Sequence, residues 1–225
     1  MIFAPFVFIY AVIFLIGLAF VFVLIEIHVI NYVFVALGLP PHLAFLALLV
    51  SFGGSYFNIP IARVEGGPMH SAPMVRRFGV RYQVPMRYAS GSTTVAINVG
   101  GAIVPMAICA YVLIHFPAIL ASALLGTAIV TIVVHRFARP VPGMGIATPM
   151  LIPPIVAAIA GALLGAASHH ADAVAYVSGV MGTLIGADLL NLRRLRELGA
   201  PVASIGGAGT FDGIFLTGIV AVLLA

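Results

Sequence analysis

The chain is poor in charge. Its 225 residues include only six acids (Glu26, Glu65, Asp172, Asp188, Glu197, Asp212) and ten basic side chains, all arginine; lysine is absent. Charged residues make up 7% of the chain. A soluble domain carries about 25%. So few charges cannot clothe a water-facing surface of this size. With 63% hydrophobic residues and a mean hydropathy of +1.23, the sequence reads as an integral membrane protein. Soluble globular, disordered, collagen-like and disulfide-stapled classes are excluded. The single cysteine, Cys109, cannot close an internal disulfide, and its apolar neighbours mark it as a small core residue. Also missing are the HExxH zinc motif, the GxSxG elbow, the glycine–lysine phosphate loop and the dinucleotide fingerprint. No cofactor is expected. A net charge of +4 would suggest nucleic acid in a soluble protein. Here the arginines flank apolar segments, so the expected partner is the lipid bilayer and not nucleic acid.

A spanning helix needs about 20 mostly apolar residues. The charge-free runs predict an all-α polytopic bundle of seven spans in a single domain, 1–225. The spans fall near 3–25, 41–61, 92–114, 117–135, 148–167, 173–191 and 204–225, with an inner-face loop at 63–91. Met1–Ile25 lacks the basic region and cleavage site of a signal peptide and reads as a retained first span. Apolar character continues past Glu26 and His28 to Leu39, so this helix either projects beyond the membrane or turns along its outer face. Pro40, Pro117, Pro140, Pro142 and Pro149 lie at proposed span ends, where helices start. Pro60, Pro105 and Pro153-Pro154 fall closer to span interiors and are expected to kink or interrupt them.

All ten arginines lie in three connections: between spans two and three (Arg63, Arg76, Arg77, Arg81, Arg87), four and five (Arg136, Arg139), and six and seven (Arg193, Arg194, Arg196). In a seven-span chain these share one side. The positive-inside rule makes that side cytoplasmic, with the N-terminus in, the C-terminus out and the inner (cytoplasmic) membrane as the location. The segment Arg63–Gly91 is too short for a domain core. It reads as a lipid-headgroup anchor or an ordered cap on the inner face.

Carboxylates within spans are costly and mark functional sites. Glu65 and Glu197 belong to inner loops, and Glu26 and Asp172 to the outer boundary. Asp188 and Asp212 remain, near the inner ends of spans six and seven. At 1.5 Å per residue they lie roughly 5 and 12 Å deep on antiparallel helices. Two facing carboxylates cannot both ionise cheaply, so one keeps a proton while the other acts as base. Such a pair suits peptide hydrolysis, proton transfer or cation binding. Alternatively, each acid pairs separately with Arg193, Arg194, Asn191 or a backbone amide. Asn58 and Asn98, Asn191, and Gly207, Gly209 and Thr210 of the glycine-rich run are the expected surrounding residues. The glycines permit close helix approach or unwound backbone. The plainer reading of the asparagines is hydrogen bonding between helices.

The outer face collects Glu26, His28, His42, His115, His169, His170 and Asp172. Imidazole and carboxylate in one layer suit a transition metal, with Glu26, His28, His169, His170 and Asp172 as candidate ligands. Their spacing matches no ligand motif.

The stretch Gly186–Leu192, the Arg-rich connector and Pro201–Thr217 resemble a prokaryotic membrane family known as domain of unknown function 1614. Gly54–Pro60 resembles another of its motifs. The resemblance covers most of the chain and carries no activity with it. In topology the two aspartates are also similar to presenilin-type intramembrane aspartyl proteases, which implies Asp188 and Asp212 as a catalytic pair acting on a membrane peptide. Thr210 and Phe211 separate Gly209 from Asp212, where that family joins glycine to aspartate. Its proline-alanine-leucine-proline motif is missing. The expectation is an aspartyl protease-like hydrolase. The same acids equally serve a proton- or cation-coupled transporter of a small solute, and a non-catalytic scaffold is a third reading. Oligomeric state is left open.

Overall fold

The computed structural model describes residues 5–65, 74–77, 80–83, 92–141, 145–197, 202–207 and 213–225. Helix dominates, as the hydropathy demands. α1 (Pro5–Ala36) is an unbroken helix of 32 residues, so the apolar run past Glu26 continues as helix. It is followed by α2 (Pro41–Gly54), α3 (Val104–His115), α4 (Leu120–Phe137), α5 (Ile152–Gly165), α6 (Ala171–Thr183) and α7 (Gly213–Leu224). A 3-10 turn at Pro117–Ile119 leads into α4. Among the described residues two helical segments, Pro117–Phe137 and Ala171–Leu192, are long and apolar enough to cross a membrane.

The fold is not all-α, which corrects the first expectation. Seven strands are described: β1 (Asn58–Glu65), β2 (Met74–Arg77), β3 (Val80–Gln83), β4 (Ser92–Asn98), β5 (Arg139–Val141), β6 (Gly145–Ala147) and β7 (Val202–Ile205). β4 is the centre of a three-stranded sheet, antiparallel to β1 and parallel to β7. β2–β3 and β5–β6 form separate antiparallel pairs. Segments 41–61, 92–114 and 204–225 are therefore part helix and part strand. Their hydropathy is even, but Ser92-Thr-Thr-Val and Val202-Ala-Ser-Ile are rich in β-branched and small polar residues, which suit a pleated surface better than a helix. A short apolar run does not by itself tell the two apart.

Some prolines also act differently from expectation. The Pro153-Pro154 pair stands in the first turn of α5, where a missing N–H costs nothing, and starts the helix. Pro105 lies inside one helical stretch, Val99–His115, whose first residues, Val99–Ile103, are π-helical, so the regular pattern is interrupted just before it. Pro60 lies in β1, where the register with β4 shifts between Pro60 and Ala62; a strand bulge tolerates proline.

α6 forms the centre of the bundle. Every residue from Ala173 to Val180 is buried, and the helix packs on α3, α4, α5 and α7. Small residues set the spacing. A Cβ on Gly161 would stand 2.5 Å from the Ala175 Cβ, and one on Gly182 would stand 2.5 Å from the Val130 Cβ. Such close approach gains van der Waals contact between the helices. α1 is the opposite case. Val33, Phe34 and Leu37 at its end are buried, whereas Ile13 to Ile16 and Phe20 stand exposed.

All described strands fall in the α2–α3, α4–α5 and α6–α7 connections, the same three that hold every arginine but Arg136, which stands in the last turn of α4. The other three connections are short, 37–40, 116–119 and 166–170, and the last two hold 3-10 turns.

Candidate functional site

Several helices lose their regular form near the sheet. α6 passes into a π-helical segment, Leu184–Asp188, and then a 3-10 segment, Leu189–Glu197. β4 turns into α3 through a second π-helical segment, Val99–Ile103. π segments are uncommon and recur at functional positions.

Asn98 ends β4 and organises the second of these. Its side chain is buried. Its Oδ1 accepts from the Gly101 N–H at 2.7 Å, capping the π segment. Its Nδ2 donates to the Ser55 carbonyl at 2.7 Å and to Asn58 Oδ1 at 3.1 Å. The sheet register places Asn58 directly opposite Asn98. Ser204 of β7 donates to the same Asn58 oxygen at 2.5 Å. Ser51 Oγ donates to the Gly100 carbonyl at 2.8 Å, and Ser55 Oγ to the Ser51 carbonyl at 2.6 Å. This network joins α2, β1, β4 and β7.

Asp188 ends the π segment of α6 and is half-buried. Its Oδ2 accepts from the Gly206 N–H at 3.1 Å, just beyond β7. Gly206 and Gly207 have φ of 82° and 87°, the left-handed region that glycine adopts without strain. Gly206 also lies hard against the other π segment. A Cβ there would stand 2.7 Å from the Ala102 nitrogen and 2.8 Å from the Gly101 carbonyl carbon. The Asp188 carboxylate is thus joined through the β7 end to the turn that Asn98 caps. Of the two expected outcomes for this acid, a backbone amide contact is present.

Asn191 is not part of this network. It is buried, and its Nδ2 donates to the carbonyls of Gly186 at 3.0 Å and Ala187 at 2.9 Å. The same nitrogen lies 3.3 Å from His135 Nδ1 of α4. Its Oδ1 is buried with no hydrogen-bond partner among the described residues. Asn191 therefore holds the irregular end of α6 to α4. The Gly209, Thr210 and Asp212 positions lie outside the described residues, and with them the pairing of Asp188 and Asp212.

Ser204 and His135 were not singled out from the sequence for these contacts. The β-branched and small residues of Val202-Ala-Ser-Ile are the signal for a strand, but they do not say which strand Ser204 would meet. For His135 the sequence holds no such signal, because its neighbour Asn191 arrives from 56 positions away.

On the opposite face, His28 Nδ1 bonds the Leu24 carbonyl one turn back at 2.8 Å. His170 packs against the Phe116 ring, with centroids 4.3 Å apart. Asp172 accepts from the Ala173 N–H at 2.8 Å. His169 takes a left-handed φ of 57°. The Glu26 side chain lies outside the described set. Among the described residues no three His, Cys, Asp or Glu side chains are grouped as metal ligands would be.

No curated protein and no solved structure matches the chain. The family model described as a protein of unknown function, DUF1614, matches residues 52–224. That range holds Asn58, Asn98, Asp188 and Ser204, and it covers more than three quarters of the sequence. The chain belongs to this family.

Proposed function

We propose that the protein is a seven-span protein of the inner (cytoplasmic) membrane, and that Asp188 binds the proton or cation that drives transport of a small solute. Composition, two helices of spanning length and the arginine-bearing connections support the membrane placement. In this reading the N-terminus and all described strands are cytoplasmic.

One observation carries the transport reading. The π segment that ends at Asp188 and the Gly206-Gly207 turn before α7 meet at its carboxylate, and Gly206 packs in turn on the second π segment. Irregular backbone at membrane depth is tolerated where it is buried in protein or lines a watery cavity. Broken helices of this kind form coupling-ion sites in transporters. Asp188 supplies the charge, and Asn58 and Asn98 fix the strands around it. An aspartyl protease-like hydrolase uses the same acid as half of a pair with Asp212. That reading is favoured by the order of the two acids on consecutive chain segments.

The test is a reconstituted comparison of wild type, Asp188→Asn and Asp212→Asn. The readouts are pH-gradient- or cation-gradient-driven uptake and cleavage of membrane peptides. Loss of uptake in Asp188→Asn, with unchanged elution on size-exclusion chromatography, is the expected result. Cleavage by wild type that is lost in both variants would establish the hydrolase instead. Three proteins behaving alike in both assays would sink both readings.

A further inference from the structure

The inner end of α4 carries a second feature, whose interpretation rests on the membrane placement proposed above. Pro117–Phe137 has 21 residues. At 1.5 Å per residue it is about 31 Å long, close to the roughly 30 Å of a bilayer's hydrocarbon core. His135 and Arg136 then lie at headgroup depth, and Ile132 and Val133 one turn deeper.

A cavity of about 530 Å³ opens beside this helix end, lined by Ile132, Val133, Phe137 and Leu190 together with His135 and Arg136. Its size falls within the range of small-ligand sites, about 300–1,000 Å³. Ile132, Phe137 and Leu190 are exposed. Arg136 is exposed too, and no ion pair to it is found among the described residues. His135 is held from behind: its Nδ1 lies 3.3 Å from the Gly186 carbonyl and 3.3 Å from Asn191 Nδ2. The groove is thus apolar along the part that sits in hydrocarbon and cationic at the part that sits among headgroups.

We propose that this groove binds an anionic phospholipid of the inner leaflet. The Arg136 guanidinium takes the phosphate, for which its planar fork of donors is suited. The acyl chain lies along Ile132, Val133 and Leu190, with Phe137 at the headgroup end of the groove. A free phosphate would leave that apolar wall uncovered, so the chemistry favours the whole lipid. The lipid would pack against the α4 end and Leu190, which follows directly on the irregular segment that carries Asp188.

The sequence provides a clean reporter, because it has no tryptophan. Ile132→Trp in the full chain places one emitter on the groove wall at an exposed position. The protein is reconstituted in vesicles containing brominated phosphatidylglycerol or brominated phosphatidylcholine. Quenching should favour phosphatidylglycerol. Adding Arg136→Gln should lower that preference about fivefold, the worth of one arginine near an anionic surface. Arg136→Lys, which keeps the charge, should retain most of it and controls for folding. Equal quenching by the two lipids, or a preference that survives Arg136→Gln, overturns the site. Loss of the preference on adding excess inorganic phosphate would show a headgroup-only anion site and also overturns it. Failure of both lipids to quench would remove the membrane placement of α4 as well, so the two readings fail distinguishably.

Discussion

The bundle around α6 and the strand layer beside it are held by different forces. Around α6, glycine and alanine let helices approach until backbones touch, and few side-chain hydrogen bonds are involved. In the strand layer the contacts are polar and directional. Asn98 alone makes three hydrogen bonds, and they reach α2, β1 and the π segment. The first region tolerates no added volume; the second tolerates no lost partner. Regular helix continues where packing suffices. It gives way where side-chain amides and hydroxyls take over the backbone's hydrogen bonding.

Substitutions can break this comparison, and the largest effect is expected in the bundle. Gly182→Val adds atoms where the first carbon already meets Val130, and overpacking of this kind costs about 1–3 kcal/mol or more. Thermal unfolding in detergent should show the largest drop of the series. Asn98→Ala should come next. It strands the Ser55 carbonyl and the Gly101 N–H, and with water able to reach part of the strand layer the net cost is about 1–2 kcal/mol. If its melting temperature matches wild type, the polar account of the strand layer is wrong. Ser204→Ala removes one of two donors to Asn58 and should cost about 1 kcal/mol by the same measurement. His28→Ala removes an exposed intrahelical contact on the far side and should stay within about 0.5 kcal/mol of wild type. A larger shift there would mean the outer face holds more structure than its described contacts explain.

Much of this was legible in the residues. The scarcity of charge pointed to apolar helices, two of which, among the described residues, are of spanning length. Pro40 and Pro117 stood at helix starts; Pro140, expected at another, lies instead in β5, and Pro142 lies outside the described residues. The polar runs 51–58 and 90–98 pointed to residues that do meet, since Asn58 and Asn98 are opposed in the sheet. The strands themselves were hidden. Hydropathy sums over a window and is blind to whether the backbone bonds to its own helix or to a neighbour. For the same reason Pro153-Pro154 looked like an interior break: counting from run ends put the pair inside a span, whereas α5 begins there. Asp188 was singled out by its cost in a membrane, but its partner Gly206 was not foreseen, because an N–H left free by a glycine turn has no signature in composition.

By itself, then, the sequence determined that the protein is built mostly of apolar helix, and that its arginines gather in three places along the chain. Both follow from composition and order along the chain, which fix what each stretch can bury. Only the tertiary structure decided that three of the apolar stretches are part strand, that a fourth runs into irregular helix, and that Asp188 meets Gly206 at that boundary. Those outcomes depend on which distant groups arrive to accept and donate hydrogen bonds, and no local run of residues encodes that.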